Sequence, residues 1–124
     1  MELNLEIPQD HHFIRSIDSN GIRINDDYYH ASVVVSASHL LPGWDVHCLG
    51  DINAEKLQSI FELEPELVLI GCGKTQAFLT PATQMLFLER HIGVEVMVTD
   101  AACRTFNLLA GDGREVVAAL IWED

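Results

Sequence analysis

Residues 67–73 read Leu-Val-Leu-Ile-Gly-Cys-Gly, an unbroken apolar run that stops at two glycines one residue apart. Four apolar residues in a row present apolar side chains to both faces of a strand, so this strand must be covered on both sides. A parallel strand in the middle of an α/β sheet satisfies that condition. The segments around it agree. Asn53 stands as a helix N-cap before Leu57, Ile60 and Phe61 at helical spacing, and Pro65 ends that helix. Thr80-Pro81 is a cap followed by proline at the first helical position, with Met85, Leu88 and Ile92 as the buried stripe and Gly93 closing the helix. Residues 94–98 form the next strand, with Val94, Val96 and Val98 on one face. Thr99-Asp100 opens a third helix whose Ala102, Phe106 and Leu109 share a side and whose C-cap is Gly111. Residues 116–122 supply the last strand. Right-handed crossovers make these later strands largely parallel with helices packed over them.

The first third has a different texture. Residues 13–17 alternate, with Phe13, Arg15 and Ile17 on one face and Ile14 and Ser16 on the other. Asp18-Ser-Asn-Gly21 is a turn, and Ile22-Arg-Ile24 returns, so residues 13–24 read as a hairpin. After the polar turn at 25–27, residues 28–36 read as one strand centred on Val33-Val-Val35. Pro42-Gly43 breaks the chain, and residues 44–49 read as a further short strand. The expectation is an α/β fold in a single compact domain spanning 1–124. It has a mixed central sheet flanked by helices, with an N-terminal antiparallel β meander that extends or caps the sheet.

Nineteen acidic residues against seven basic ones give a net charge of −12. Nucleic acid and anionic membranes both require a positive footprint, so neither is an expected partner, whereas a basic protein surface would be attracted. No apolar run approaches the roughly 20 residues that cross a bilayer. The first residues, Met-Glu-Leu-Asn-Leu-Glu, are acidic where a signal or transit peptide is basic, which points to the cytoplasm. Cys48, Cys72 and Cys103 are far apart, show no Cys-x-x-Cys spacing and read as reduced thiols.

The glycine pair invites two nucleotide-binding readings, and both fail on spacing. A phosphate-binding loop ending at Gly73-Lys-Thr75 needs a glycine where Val68 stands and a helix starting at the lysine, not at Thr80. A dinucleotide fingerprint needs a third glycine where Gln76 stands, and its acidic residue has only Glu89 and Glu95 as candidates. The six histidines form no His-x-x-x-His pair. His47-Cys48 and His11-His12 read as surface or strand residues in preference to metal ligands, and no metal or cofactor is implied. Cys72 lies between two glycines at a strand end, yet no histidine and carboxylate can be assigned to it as a triad. Asn107, an amide inside a helix, calls for a defined hydrogen-bond partner. With Arg104 and Arg114 it reads first as a network tying the helix end to its turn.

Taken in order, Leu67-Val-Leu-Ile-Gly-Cys-Gly73, Gly93-Val-Glu-Val-Met97 with Thr99, Ala102-Cys-Arg-Thr-Phe-Asn107, Gly113-Arg114 and Ala118-Ala-Leu-Ile121 resemble the Mth938-like family. Ile17-Asp-Ser-Asn-Gly-Ile-Arg-Ile24 and Leu41-Pro-Gly-Trp-Asp-Val46 fit it too, so the resemblance covers nearly the whole chain. That family includes the mitochondrial complex I assembly factor, adipogenesis-associated proteins and many small bacterial proteins of unknown function. The resemblance implies a compact α/β fold with a mixed sheet. It also implies a non-catalytic protein-binding or assembly role, related to a respiratory complex, with another protein as partner and a homo-oligomer left open. The family pattern often carries threonine between the two glycines, where this chain has Cys72, which argues against a shared thiol chemistry.

The alternative is a small-ligand binder or enzyme using a pocket at the carboxyl ends of strands 67–71 and 94–98, where open α/β sheets gather ligands. Its candidate residues are Gly71, Cys72, Gly73, Lys74, Thr99, Asp100, Arg104, Asn107 and Arg114, with Thr75 also in reach. Backbone amides at the third helix N-terminus would receive an anion. A redox role through Cys72 or Cys103 is the third reading.

Overall fold

The structure, a computed structural model, describes residues 11–123. It contains two sheets. The first is a meander of β1 (Ile14–Asp18), β2 (Gly21–Ile24) and β3 (Asp27–Tyr29), antiparallel in the order β1-β2-β3. The second contains β4 (Val33–Ser36), β5 (Leu40–Pro42), β6 (Leu67–Gly71), β7 (Gly93–Met97) and β8 (Val116–Leu120), in the order β5-β4-β8-β6-β7. In this sheet β6 runs parallel to both β7 and β8, while β4 runs antiparallel to β8 and to β5. The central sheet is therefore mixed because of β4 and β5, and the meander stands apart as a sheet of its own.

Three α-helices flank this sheet among the described residues: the first leads into β6, and the other two connect β6 to β7 and β7 to β8. In α1 (Ala54–Phe61) the Asn53 carboxamide accepts from Lys56 N at 2.9 Å, as its N-cap position demands. In α2 (Pro81–Leu88) the Thr80 hydroxyl accepts from Thr83 N at 3.3 Å. The third, α3 (Thr99–Gly111), starts directly at the end of β7. From β6 the chain moves outward to β7 and then returns past β6 to β8, so successive crossovers run in opposite directions. The helices accordingly occupy opposite faces. Val68, Ile70, Val117 and Ala119 pack with Leu57, Ile60 and Phe87 of α1 and α2. Leu69, Val116, Ala118 and Leu120 pack with Ala102, Cys103 and Phe106 of α3 and with Ile14, Ile22 and Ile24 of the meander. Alternate residues of one strand thus supply two separate cores, as the two-sided apolar run at 67–70 requires.

Several boundaries differ from the sequence reading. Residues 28–36 are not one strand, because Ser32 interrupts them. Its hydroxyl donates to Val46 O at 2.6 Å and accepts from Trp122 N at 3.1 Å, and the chain passes there from one sheet to the other. Residues 44–49 are not a strand. Trp44 and Val46 are buried, but Trp44 N donates to Ser32 O, Val46 N to Trp44 O and His47 N to the Asp51 carboxylate, which leaves no ladder to join. The strand lies earlier, at β5, on the sheet edge where Pro42 is tolerated. In α2 the buried residue is Phe87, whereas Met85 and Leu88 are exposed. Gly93 opens β7 instead of closing α2, and His91 takes the left-handed turn before it with φ 56°. At the end of α3 the left-handed residue is Gly113 (φ 80°), two positions beyond the expected Gly111.

Candidate functional site

The two glycines after β6 have structural causes. A Cβ on Gly71 would lie 2.9 Å from Thr99 Cα and 3.0 Å from its hydroxyl, so the first turn of α3 approaches the strand as closely as glycine permits. Gly73 has φ 98°, a left-handed conformation that side chains resist. Thr99 joins the three parallel strands at their carboxyl ends. Its N–H donates to Gly73 O at 2.9 Å, its Oγ1 accepts from Gly73 N at 2.8 Å, and the same hydroxyl donates to Ile121 O at 2.7 Å. Ile121 N donates in turn to Gly71 O at 2.9 Å.

Over this junction opens a cavity of about 390 Å³. Its floor is Val98, Thr99 and Asp100 at the start of α3, beside Gly73 and Lys74 after β6. One wall is Ile121, Trp122 and Glu123 beyond β8, and the other is Ile17, Asp18 and Ser19 at the tip of the β1–β2 hairpin. Reversed crossovers leave a crevice at this point of an open α/β sheet. The hairpin covers it, held by Trp122 Nε1 donating to Asp18 O at 3.3 Å.

Four sequence candidates, Gly73, Lys74, Thr99 and Asp100, line this cavity, and Gly71 lies beneath them. Cys72 is buried and its thiol donates to Thr75 O at 3.3 Å, inside its own turn. Arg104 is ion-paired with Asp100 one helical turn away and stays outside the lining. Asn107 points elsewhere. Its side chain accepts from Ile14 N at 2.9 Å and donates to Ile14 O at 2.7 Å, fastening α3 to β1 and not to the following turn. Arg114 pairs with Glu66 at 3.5 Å, before the start of β6 and so at the opposite end of the strands. The walls contributed by 17–19 and 121–123 were not among the candidates. The turn signal at Asp18–Gly21 was legible, but nothing in the sequence says that it folds over the strand ends.

Among the described residues the cavity's charges are the cation Lys74 and the carboxylates Asp18, Asp100 and Glu123. Each carboxylate has a partner: Asp18 accepts from Asn20 N at 2.7 Å, Asp100 from Arg104, and Glu123 from Lys74 N at 3.4 Å. Val98, at the N-cap of α3, offers no side-chain cap, and Asp100 supplies negative charge to that first turn. An incoming anion would meet Asp100 there. Burial, with Asp100 nearby, pushes the Cys103 thiol up to about 12, so it stays protonated in the core. Among the described residues no three His, Cys, Asp or Glu side chains are grouped to hold a metal, and no helix is long and apolar enough to cross a membrane.

Comparison with known proteins places the chain in a family. It is 34% identical, over 88% of its length, to the NADH dehydrogenase (ubiquinone) 1 alpha subcomplex assembly factor 3 of Xenopus tropicalis, of which it spans 60%. It is 31% identical over 79% of its length to the 13 kDa major membrane protein of Francisella tularensis, of which it spans 80%. Among solved structures, a Xanthomonas campestris protein matches with a TM-score of 0.82 and 32% identity, covering 98% of this chain and 92% of that one. A Bordetella pertussis protein described as a Mth938-like domain matches with a TM-score of 0.83 and 26% identity over the same shares of the two chains. Residues 14–121 match the family described as "Protein of unknown function (DUF498/DUF598)", and the chain is a member of that Mth938-like family.

Proposed function

We propose that this chain is a non-catalytic protein-binding module, a single Mth938-like domain acting in the cytoplasm in the assembly of a larger complex. The observation that carries this reading is the 34% identity, over 88% of the chain, to a relative named as an assembly factor of NADH dehydrogenase. The chain spans 60% of that relative's length, so the role assigned here is that of the shared part. The strand-end motif fits the reading, because Gly71, Gly73 and Thr99 are accounted for by close approach, a left-handed φ and buried hydrogen bonds. Affinity capture of the tagged chain from its own cells, with quantitative mass spectrometry and fractionation of membrane from soluble material, tests it. A specific protein partner in the soluble fraction supports the reading. Repeated capture with no enriched partner overturns it, and recovery with membranes overturns the cytoplasmic placement.

The cavity favours a second reading, a small-molecule site at the strand ends. Its volume of about 390 Å³ lies within the range of ligand pockets, and Lys74 and Trp122 supply a cation and an aromatic edge. A thermal-shift screen of metabolites tests it. Stabilisation that is lost in Lys74→Ala supports the site, and a flat screen removes it.

A further inference from the structure

Among the described residues β7 is the outermost strand of its sheet, with β6 on one side only. Gly93 N donates to Glu66 O and Met97 O accepts from Cys72 N. In a parallel ladder the odd-numbered residues of β7 therefore serve β6, and the N–H and C=O groups of Val94 and Val96 point away from the sheet. Among the described residues one of these four groups is covered, since Val96 O accepts from Gln76 Nε2 at 3.3 Å. The Val94 and Val96 side chains face α2 and border a groove of about 630 Å³ whose outer wall is Phe78, Met85 and Leu88. Phe78 is 80% exposed and Leu88 65%. Strand addition uses this combination. Main-chain bonds to a free edge supply affinity, while alternate side chains of the added strand fill an adjacent groove.

The charges choose the occupant. Ile92 N already donates to Phe87 O, so a second copy added antiparallel about a two-fold axis pairs the outward groups of Val94 and Val96 most fully in the register centred on Glu95, where Val94 would face Val96 and Glu95 would face Glu95. Like charges directly opposite are unfavourable, here between chains carrying −12 each. A basic residue opposite Glu95 removes that conflict. We propose that the β7 edge and its α2 groove dock an extended segment of a partner protein. That segment is apolar at the positions facing the groove and carries lysine or arginine opposite the exposed Glu95. The proposal rests on the protein-binding reading and assigns it a surface.

The test uses the full chain and three synthetic heptapeptides: Thr-Val-Lys-Val-Lys-Val-Thr, the same sequence with glutamate for lysine, and the lysine peptide with N-methylated valines. Fluorescence anisotropy at low salt should show the lysine peptide binding about tenfold tighter than the glutamate one. N-methylation should abolish binding, and the Val94 and Val96 amides should gain hydrogen-exchange protection. Glu95→Lys, a surface change, should invert the charge preference, and Leu88→Ser should weaken both peptides. No binding at millimolar peptide, an unaltered preference in Glu95→Lys, or protection confined to the strand-end cavity overturns the proposal. So does self-association that Leu88→Ser abolishes, which would assign the edge to a second copy. A photo-crosslinker placed at Leu88 and, separately, at Lys74 in cells distinguishes the two levels. Protein adducts at Lys74 alone overturn the edge site and leave protein binding standing; adducts at neither, with no captured partner, overturn both.

Discussion

Replacing Thr99 with valine isolates what the strand-end junction contributes. The two side chains have nearly the same shape, and Thr99 is 2% exposed, so the change removes one hydroxyl and little packing. That hydroxyl accepts from Gly73 N at 2.8 Å and donates to Ile121 O at 2.7 Å. Without it, a buried donor and a buried acceptor lose their partner together. Each unsatisfied group costs about 1–3 kcal/mol, partly offset by the added methyl and by water entering from the adjacent cavity, so the net loss is about 2–4 kcal/mol. With a urea m-value of about 1–3 kcal/mol/M, the unfolding midpoint should fall by about 1–2 M at unchanged m. Thr99→Ser keeps the hydroxyl and should lose only about 1 kcal/mol for its missing methyl. Urea denaturation followed by circular dichroism reads all three proteins. A valine variant within about 0.5 kcal/mol of wild type, or a serine variant less stable than the valine one, would refute the reasoning, since the hydroxyl would then not be the joining element.

Gly71→Ala pushes a methyl against the Thr99 backbone, which cannot withdraw as a flexible side chain would, and should cost about 1–3 kcal/mol in the same urea assay. Asn107→Ala removes both bonds to Ile14 and should cost about 2 kcal/mol. Hydrogen exchange should show the β1–β2 hairpin opening before the central sheet. The Cys103 thiol, raised from an ordinary 9.0 to about 12 by burial, favours the folded state while it is neutral. That contribution is whole below about pH 9 and is lost as pH rises toward 12, because the unfolded thiol ionises first. Cys103→Ala should flatten the alkaline limb of the stability profile. In native protein at pH 8 a thiol reagent should modify exposed Cys48 first and reach Cys103 only on unfolding.

The parallel half of the fold was legible because its signals are local. Asn53, Thr80-Pro81 and the two-faced apolar run at 67–70 each state their structure within a few residues. What failed to read depended on partners distant in sequence. Ser32 breaks its strand because of Val46 and Trp122, and Asn107 answers to Ile14. The α2 stripe was misplaced because this helix is apolar nearly all round. Phe87 faces the core while Met85 and Leu88 face outward, and periodicity cannot rank apolar residues against one another. For the cavity, Gly73, Lys74, Thr99 and Asp100 follow from strand ends that sequence order brings together. The hairpin tip and the 121–123 tail arrive through tertiary packing, and Arg114 sits at the wrong end of its strand by sixteen ångströms or so of sheet, about five residues at roughly 3.3 Å each.

The protein-binding account is tested most directly by native mass spectrometry of the tagged chain purified at its natural abundance from its own cells. The account predicts a heterocomplex of fixed stoichiometry, containing this chain and a partner protein, that dissociates in Leu88→Ser and Glu95→Lys. A chain recovered alone, or bound only to a small molecule that Lys74→Ala releases, would contradict it.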